Sequence, residues 1–253
     1  MPIIFKIFIL FHASLYGIGS QFLILPFSSK ELSIGSHPTL FEHDPVNPSL
    51  YHAVEDRPSI SFNQGTWFGD VGLTQAGCNF EKNNVITHFG FKYSGITDLE
   101  FRNDSPSDSP LSYFSSFGLS FDAGKAFIRG SQRYGISISY VHFGIFTYES
   151  RGLGLNFGYS RDFLNKTKVG IVIQNVGKMS ELQTDDILLP QRILLGYSKE
   201  FKFNQIKNSV YTSVEQNSLI SSAKIHLGNH FNWTLFNLYS GFSFSKSVTE
   251  SSI

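Results

Sequence analysis

A two-residue alternation recurs through most of this chain and limits what it can fold into. Large apolar or aromatic side chains alternate mainly with small residues over 85–94, 117–124, 135–140 and 153–160. Successive side chains of a β-strand point to opposite faces of its sheet, so this pattern predicts strands. In full, strands are predicted near residues 58–64, 69–80, 84–94, 111–128, 134–147, 151–163, 167–176, 190–202, 208–216, 222–231 and 234–245.

The residue types on the two faces indicate what kind of sheet these strands form. Charged residues make up 16% of the chain and aromatic residues 15%, whereas soluble domains carry about 25% charged residues. Gly, Ser and Asn suit the crowded interior of a barrel, and Phe, Leu and Tyr suit lipid. We therefore predict an all-β fold, a transmembrane antiparallel β-barrel with 11 or 12 strands visible in the sequence. A secreted soluble β protein is the alternative. The longer connections, 100–110 and 177–190, are predicted to lie outside the cell.

The N-terminus has the features of an export signal. Lys6 precedes the apolar stretch from Ile7 to Tyr16, and Gly17 and Gly19 are the small residues that a signal peptidase requires. Residues 1–19 are therefore predicted to be a cleaved signal peptide, with a single membrane anchor as the alternative. We expect residues 20–57 to form a plug-like N-terminal segment and residues 58–253 to form the barrel.

The sequence offers little support for catalysis or for nucleic-acid binding. Lys and Arg number 20 and Asp and Glu number 20, so the chain lacks the basic excess of a nucleic-acid binder. Cys78 is the single cysteine, and His226 and His230 are too far apart on a strand to bind one metal ion. Asp185 and Asp186 are adjacent and fit a solvated loop. We predict a non-enzymatic protein with no catalytic, cofactor-binding or metal site.

Several short motifs, in their order along the chain, resemble the PorV/PorQ family, relatives of the FadL-type barrels. The first motifs are Phe22, Leu23, Leu25, Pro26, Ser28 and Ser29, followed by Asp44, Asn47, Pro48, Ser49 and Leu50. Later matches are Trp67, Phe68 and Asp70, then Gln174, Asn175, Val176 and Gly177, then Leu189 and Pro190. The details are closer to PorQ than to PorV. The family has a longer chain with further strands after "LYSGFSFS", so either one strand is missed in this prediction or the chain is shortened or divergent at its C-terminal end.

The resemblance implies a barrel of about 11–14 strands in the bacterial outer membrane, within the type IX protein secretion system. The expected role is the assembly or attachment of secreted proteins at the cell surface. The implied partners are outer-membrane lipid and other proteins of the secretion and attachment complex. The motif residues of the N-terminal segment are then expected to pack inside or beneath the barrel. Two other functions stay open: a FadL-type transporter of hydrophobic small molecules, and a structural barrel without a partner.

Overall fold

A computed structural model describes residues 19–36, 39–43, 45–53, 57–67, 70–102, 108–218 and 220–245. The predicted signal peptide lies outside the described residues apart from Gly19, and so do the motif positions Asp44 and Phe68. None of the helices in the described ranges has the length and apolar character needed to cross a bilayer.

The strands form a single antiparallel sheet in which each strand pairs with the next along the chain. They are β1 (Ser59–Trp67), β2 (Val71–Lys82), β3 (Val85–Phe101), β4 (Ser112–Arg129), β5 (Gln132–Ile145), β6 (Tyr148–Asp162), β7 (Thr167–Met179), β8 (Arg192–Phe203), β9 (Ile206–Asn217), β10 (Ile220–Trp233) and β11 (Phe236–Ser245). The predicted all-β fold of eleven antiparallel strands is therefore confirmed. Among the described residues, no backbone pairing joins β1 to β11.

Strand β3 shows where the period-two pattern misses a strand end. The prediction ended this strand at residue 94, whereas β3 continues to Phe101. Its pairing with β4 shifts register between Ile96 and Leu99, and Asp98 has a φ of 59°. Such an irregularity breaks the alternation while the strand continues.

The two faces of the sheet differ in the predicted way. In β5 and β6, Ile138 and Leu155 have exposed fractions of 44% and 39%, whereas Ser137 and Asn156 have 3% and 6%. We call the face that carries Ile138 and Leu155 the outer face and the opposite one the inner face. The polarity is the reverse of that of a soluble protein, because the buried face is polar and the exposed face apolar.

The connections divide the sheet into two ends. At one end the strands are joined by the short turns 83–84, 130–131, 163–166, 204–205 and 234–235, and we call it the short-turn end. The opposite end, which we call the loop end, includes the described connections 146–147 and 180–191.

The N-terminal segment lies against the inner face. It contains a 3₁₀ helix (Ser20–Ile24), the short helix α1 (Ser29–Ser33) and a second 3₁₀ helix (Pro48–Leu50). Residues of every strand from β2 to β11 approach this segment. The sheet therefore curls around the segment.

Candidate functional site

The candidate site is the contact between the N-terminal segment and the inner face. Glycines of the wall make this contact close. A Cβ atom at Gly135 would overlap the backbone of Pro48 and Ser49, and one at Gly158 would overlap the Asn47 amide oxygen. The small residues of the inner face therefore accommodate a second layer of chain, and a larger side chain at these positions has no room.

Further pairs of this kind extend around the sheet. They are Gly118 with Phe22, Gly170 with Leu40, Gly196 with Thr39, and Gly228 and Gly241 with Ile34. Together with Gly135 of β5 and Gly158 of β6, these glycines belong to seven strands. The shape match therefore involves most of the wall.

The Asn-Pro-Ser-Leu motif anchors the segment by hydrogen bonds. Asn47 caps the second 3₁₀ helix, because its side-chain oxygen accepts hydrogen bonds from the Ser49 backbone N–H (2.9 Å) and hydroxyl (2.8 Å). The Asn47 amide donates to the backbone carbonyl of Tyr159 (3.3 Å), and the Ser49 hydroxyl forms a hydrogen bond with the Ser160 hydroxyl (3.0 Å). Asn47 and Leu50 are fully buried. This motif therefore connects the segment to β6.

An apolar cluster holds the start of the segment near the loop end. Phe22, Leu23 and Phe27 pack with Leu73 of β2 and Val141 of β5. The cluster also includes Leu189 from the connection 180–191, with Leu25, Trp67, Val71 and Met179 at its margin. The expectation that Phe22 and Leu25 lie against wall residues agrees with this packing.

The connection 180–191 is not the freely solvated loop that its length suggests. Ile187 and Leu189 are buried, with exposed fractions of 4% and 2%. The Ser20 hydroxyl donates to the Leu188 carbonyl, and the Asn175 amide donates to that of Pro190 (2.9 Å). This connection therefore covers the start of the N-terminal segment.

Helix α1 begins with a cap that the sequence analysis missed. The Ser28 hydroxyl accepts a hydrogen bond from the Glu31 backbone N–H (3.1 Å), and the Glu31 carboxylate accepts one from the Phe27 backbone N–H (2.9 Å). Ser followed three residues later by Glu is a recognised helix-start signal and was visible in "SSKE". Pro26 lies between the first 3₁₀ helix and this cap.

A buried charged group on the inner face binds the backbone of the segment. His226 Nδ1 lies 2.8 Å from the Gly35 carbonyl oxygen, and its Nε2 lies 2.9 Å from a Glu215 carboxylate oxygen. Arg192 Nη1 lies 3.7 Å from the same Glu215 oxygen. Both ring nitrogens of His226 therefore have an oxygen partner, one on the segment and one on β9.

Gln174 extends this group to a second point on the segment. Arg192 Nε donates to the Gln174 side-chain oxygen (2.7 Å), and the Gln174 amide donates to the Val46 carbonyl (2.7 Å). Asn175, the next residue of the Gln-Asn-x-Gly motif, has a φ of 58° beside a register shift between β6 and β7. The motif therefore joins the wall both to the segment and to the end of the connection 180–191.

At the short-turn end the segment is held by an ion pair. Lys168 Nζ lies 2.5 Å from a Glu42 carboxylate oxygen. Burial alone would raise the pKa of Glu42, but Lys168 together with Arg133 and His52 lowers it more. The pKa of this carboxyl group therefore lies below its ordinary value.

Space left between the segment and the wall is polar. A cavity of about 500 Å³ is lined by wall residues of β1 to β8 and by parts of the segment. On its wall the Ser120 hydroxyl donates to the Asp122 carboxylate (3.3 Å), as does that of Ser139. The Asn156 amide donates to the Ser137 (3.0 Å) and Ser139 (3.1 Å) hydroxyls. Such a lining suits water and polar groups rather than an apolar ligand.

Most of the predicted motif residues of the N-terminal segment are buried. Phe22, Leu23, Pro26, Ser28, Asn47, Pro48 and Leu50 are buried, Leu25 is half-buried and Ser29 is exposed at the cavity. Arg192, Glu215 and His226 were not predicted to form one group. The alternation predicts that these three side chains face inward. Their contact with one another depends on strand order and register, which the sequence does not show.

The described residues contain no group of three or more His, Cys, Asp or Glu side chains placed to hold a metal ion. In comparisons with known proteins, the chain matches no family model and no curated protein.

Proposed function

We propose that the protein is an outer-membrane β-barrel whose interior is filled by its own N-terminal segment. The observation that carries this proposal is the reversed polarity of one sheet. Its inner face packs Gly, Ser and Asn on the segment, while Leu153, Phe157 and Leu195 on its outer face are 54%, 41% and 48% exposed. Water-soluble monomers rarely expose contiguous apolar patches larger than a few hundred Å². Lipid is the solvent that such a face requires.

Within the outer membrane, we propose a non-enzymatic role in the type IX secretion system, in the assembly or attachment of secreted proteins. The support is the PorQ-like series of motifs together with the position of their residues. Asn47, Pro48 and Leu50 anchor the N-terminal segment, and Gln174 holds it from the wall. A filled interior suits a protein that acts through partners at its surface. The proposed partners are other proteins of the secretion and attachment complex.

The transporter alternative is less well supported. A carrier of hydrophobic small molecules needs an apolar pocket, whereas the cavity beside the segment is lined by Asp122, Ser139, Asn156 and other polar groups. We therefore do not favour transport of apolar compounds.

The test is purification of a tagged chain from the outer membrane of cells that carry a type IX secretion system. We expect the protein in the detergent-solubilised outer-membrane fraction, with a mature N-terminus near Ser20 or Gln21, together with components of the secretion machinery. The control is an unrelated outer-membrane barrel with the same tag. A protein found in the outer membrane with no secretion component above this control would refute the secretion role and leave the barrel assignment intact. A protein absent from the membrane fraction would refute both.

A further inference from the structure

Most of the cations of the outer face lie near one end of the sheet. Near the short-turn end, the outer face carries Lys82, Lys125, Arg129, Arg161 and Lys199. Four of these side chains are exposed and Lys199 is half-buried. We call this set the basic girdle. It is hidden in the composition, because the formal net charge of the whole chain is zero.

The register shows that these cations face outward. Lys125 lies between Phe121 and Phe127 in the alternating row of β4, and both phenyl rings are exposed. Lys199 lies in the same row of β8 as the exposed Leu195 and Tyr197.

The acids in the same part of the strands face the other way. Glu81 pairs across the sheet with the fully buried Ile86, and Asp162 pairs with Lys168, which binds Glu42 of the N-terminal segment. Glu200 forms ion pairs with Lys166 and Lys207 beside an interior cavity. The positive charge of the basic girdle is therefore not neutralised by these three acids.

The girdle also lies on the side of the sheet rather than at its tip. The Arg161 guanidinium is 5.2 Å from the centre of the Phe163 ring, and Lys199 Nζ is 5.5 Å from that of Phe201. The short turns carry a single charged residue, Lys166. Aromatic rings and long basic side chains on the wall of a barrel are typical of the level where lipid headgroups begin.

The loop end has the opposite character. Exposed acids at this end are Asp70, Asp98, Glu100, Asp108, Glu149, Glu181, Asp185 and Asp186. Two of them, Glu100 and Glu149, form ion pairs with Arg102 and Arg151, and the other six have no ion pair among those the structure shows between described residues. The sheet is thus basic at one end of its outer face and acidic in the connections at the other.

We propose that the basic girdle binds the phosphate groups of anionic phospholipid headgroups in the leaflet at the short-turn end. This inference rests on the proposed membrane insertion, and it adds a preferred lipid class and a side of the membrane. An anionic leaflet attracts clustered Lys and Arg, and each contact adds to the attraction. An acidic soluble partner approaching the short-turn end would meet turns with almost no charge, so a lipid fits the sideways arrangement better.

The chain contains a convenient reporter for this test. It has two tryptophans, and Trp233 is the last residue of β10, at the short-turn end. Trp233 is 50% exposed. In a Trp67→Phe background, its fluorescence reports which lipids lie at the short-turn end, two strands from Lys199 of the girdle.

The experiment compares quenching of Trp233 by brominated phosphatidylglycerol and by brominated phosphatidylcholine in otherwise identical vesicles. We expect the anionic lipid to bind beside Trp233 about fivefold more strongly than phosphatidylcholine. This factor corresponds to the attraction of one Lys or Arg side chain to an anionic headgroup. In the variant with Lys82, Lys125, Arg129, Arg161 and Lys199 all changed to Gln, the preference should disappear. High salt should also reduce it in the unmodified girdle.

The matched control replaces cations at the loop end, with Arg102, Arg151 and Lys178 changed to Gln, and should keep the preference. Equal quenching by the two lipids in a protein that inserts would overturn the girdle proposal alone. An unchanged preference in the five-residue variant would do the same. If the parent shows no lipid preference and the five-residue variant loses a protein partner, the girdle binds an acidic protein and not lipid. Failure to insert into either vesicle would overturn the membrane proposal and the girdle proposal with it.

Discussion

Two Glu–His–Arg groups on opposite faces of the sheet have similar geometry and very different surroundings. The inner group is Glu215, His226 and Arg192, and the outer group is Glu149, His142 and Arg151. The His–carboxylate distance is 2.9 Å in the inner group and 3.2 Å in the outer one. The side chain of Glu215 is 4% exposed, whereas that of Glu149 is 49% exposed.

The comparison shows that the contribution of a Glu–His–Arg group to stability depends on the face of the sheet that carries it. On the inner face, His226 uses its second nitrogen to bind the Gly35 carbonyl, so the charges hold the N-terminal segment. On the outer face, Arg151 and His142 share Glu149 beside solvent, where ion pairs contribute little.

The largest expected effect is at the inner charged group. Glu215→Gln removes the negative charge that faces the buried Arg192 and His226, and loss of one partner of a buried ion pair costs about 3–5 kcal/mol. The free energy of unfolding, measured by urea titration in lipid vesicles, should fall by an amount in this range. Glu149→Gln on the outer face is the matched control and should change it little. Similar losses in both variants would show that the inner group is not the stronger contact.

The next effect concerns adjacent residues that face different ways. Leu155→Arg places a cation on the outer face, at a cost of about 2–4 kcal/mol at the centre of a bilayer. Gly154→Ser, its neighbour on the inner face, should be tolerated, because a Cβ atom there would lie 3.4 Å from Leu189 and 3.6 Å from Asn175. The measurement is the yield of folded protein in the outer membrane. Equal yields of the two variants would contradict the assignment of the outer face to lipid.

A third effect tests the fit between the wall and the N-terminal segment. Gly135→Val pushes a side chain into the backbone of Pro48 and Ser49 and should destabilise the protein by about 1–3 kcal/mol. Gly65→Val in β1 is the control, since a Cβ atom there meets nothing within 4 Å. The readout is the midpoint of thermal unfolding, with proteolysis at the exposed Lys30 as a measure of segment release. A Gly135→Val protein with the melting temperature and protease resistance of the control would refute the close contact.

The sequence predicted the strands well because alternation is a local property. The pattern over residues 153–160 needs no knowledge of neighbouring strands, and the structure places Leu155 on the outer face and Asn156 on the inner one. The prediction was less accurate at Asp98 in β3. The alternation of side chains is interrupted there although the strand continues, so the predicted strand ended too early.

The contacts of the candidate site were much harder to predict. The abundance of Gly on one face suggested a crowded interior, but it did not indicate that Gly135 meets Pro48 or that Gly158 meets Asn47. The same holds for Glu215 and His226, because their meeting depends on the register of β9 against β10. By contrast, the cap at Ser28 and Glu31 is local and was available in the sequence.

The smallest expected effect lies at the boundary between the two environments, where Glu42 is 55% exposed and Lys168 is 17% exposed. Because the pKa of Glu42 is lowered in the folded protein, its ionised form stabilises the fold above the ordinary pKa of 4.5. That contribution is lost as the pH falls through the lowered value. Half of the Glu42 side chain is in contact with solvent, so this contribution to the free energy of unfolding should be below about 1 kcal/mol.

The measurement is the free energy of unfolding of the parent and of Glu42→Gln, from about pH 7 to about pH 3. The parent should be slightly more stable at neutral pH, and the two should become equal in acid. High salt should reduce the difference at neutral pH, since the pair is partly exposed. A difference that grows on acidification would mean that the fold favours the protonated carboxyl group, which would contradict the proposed role of Lys168 in holding the segment.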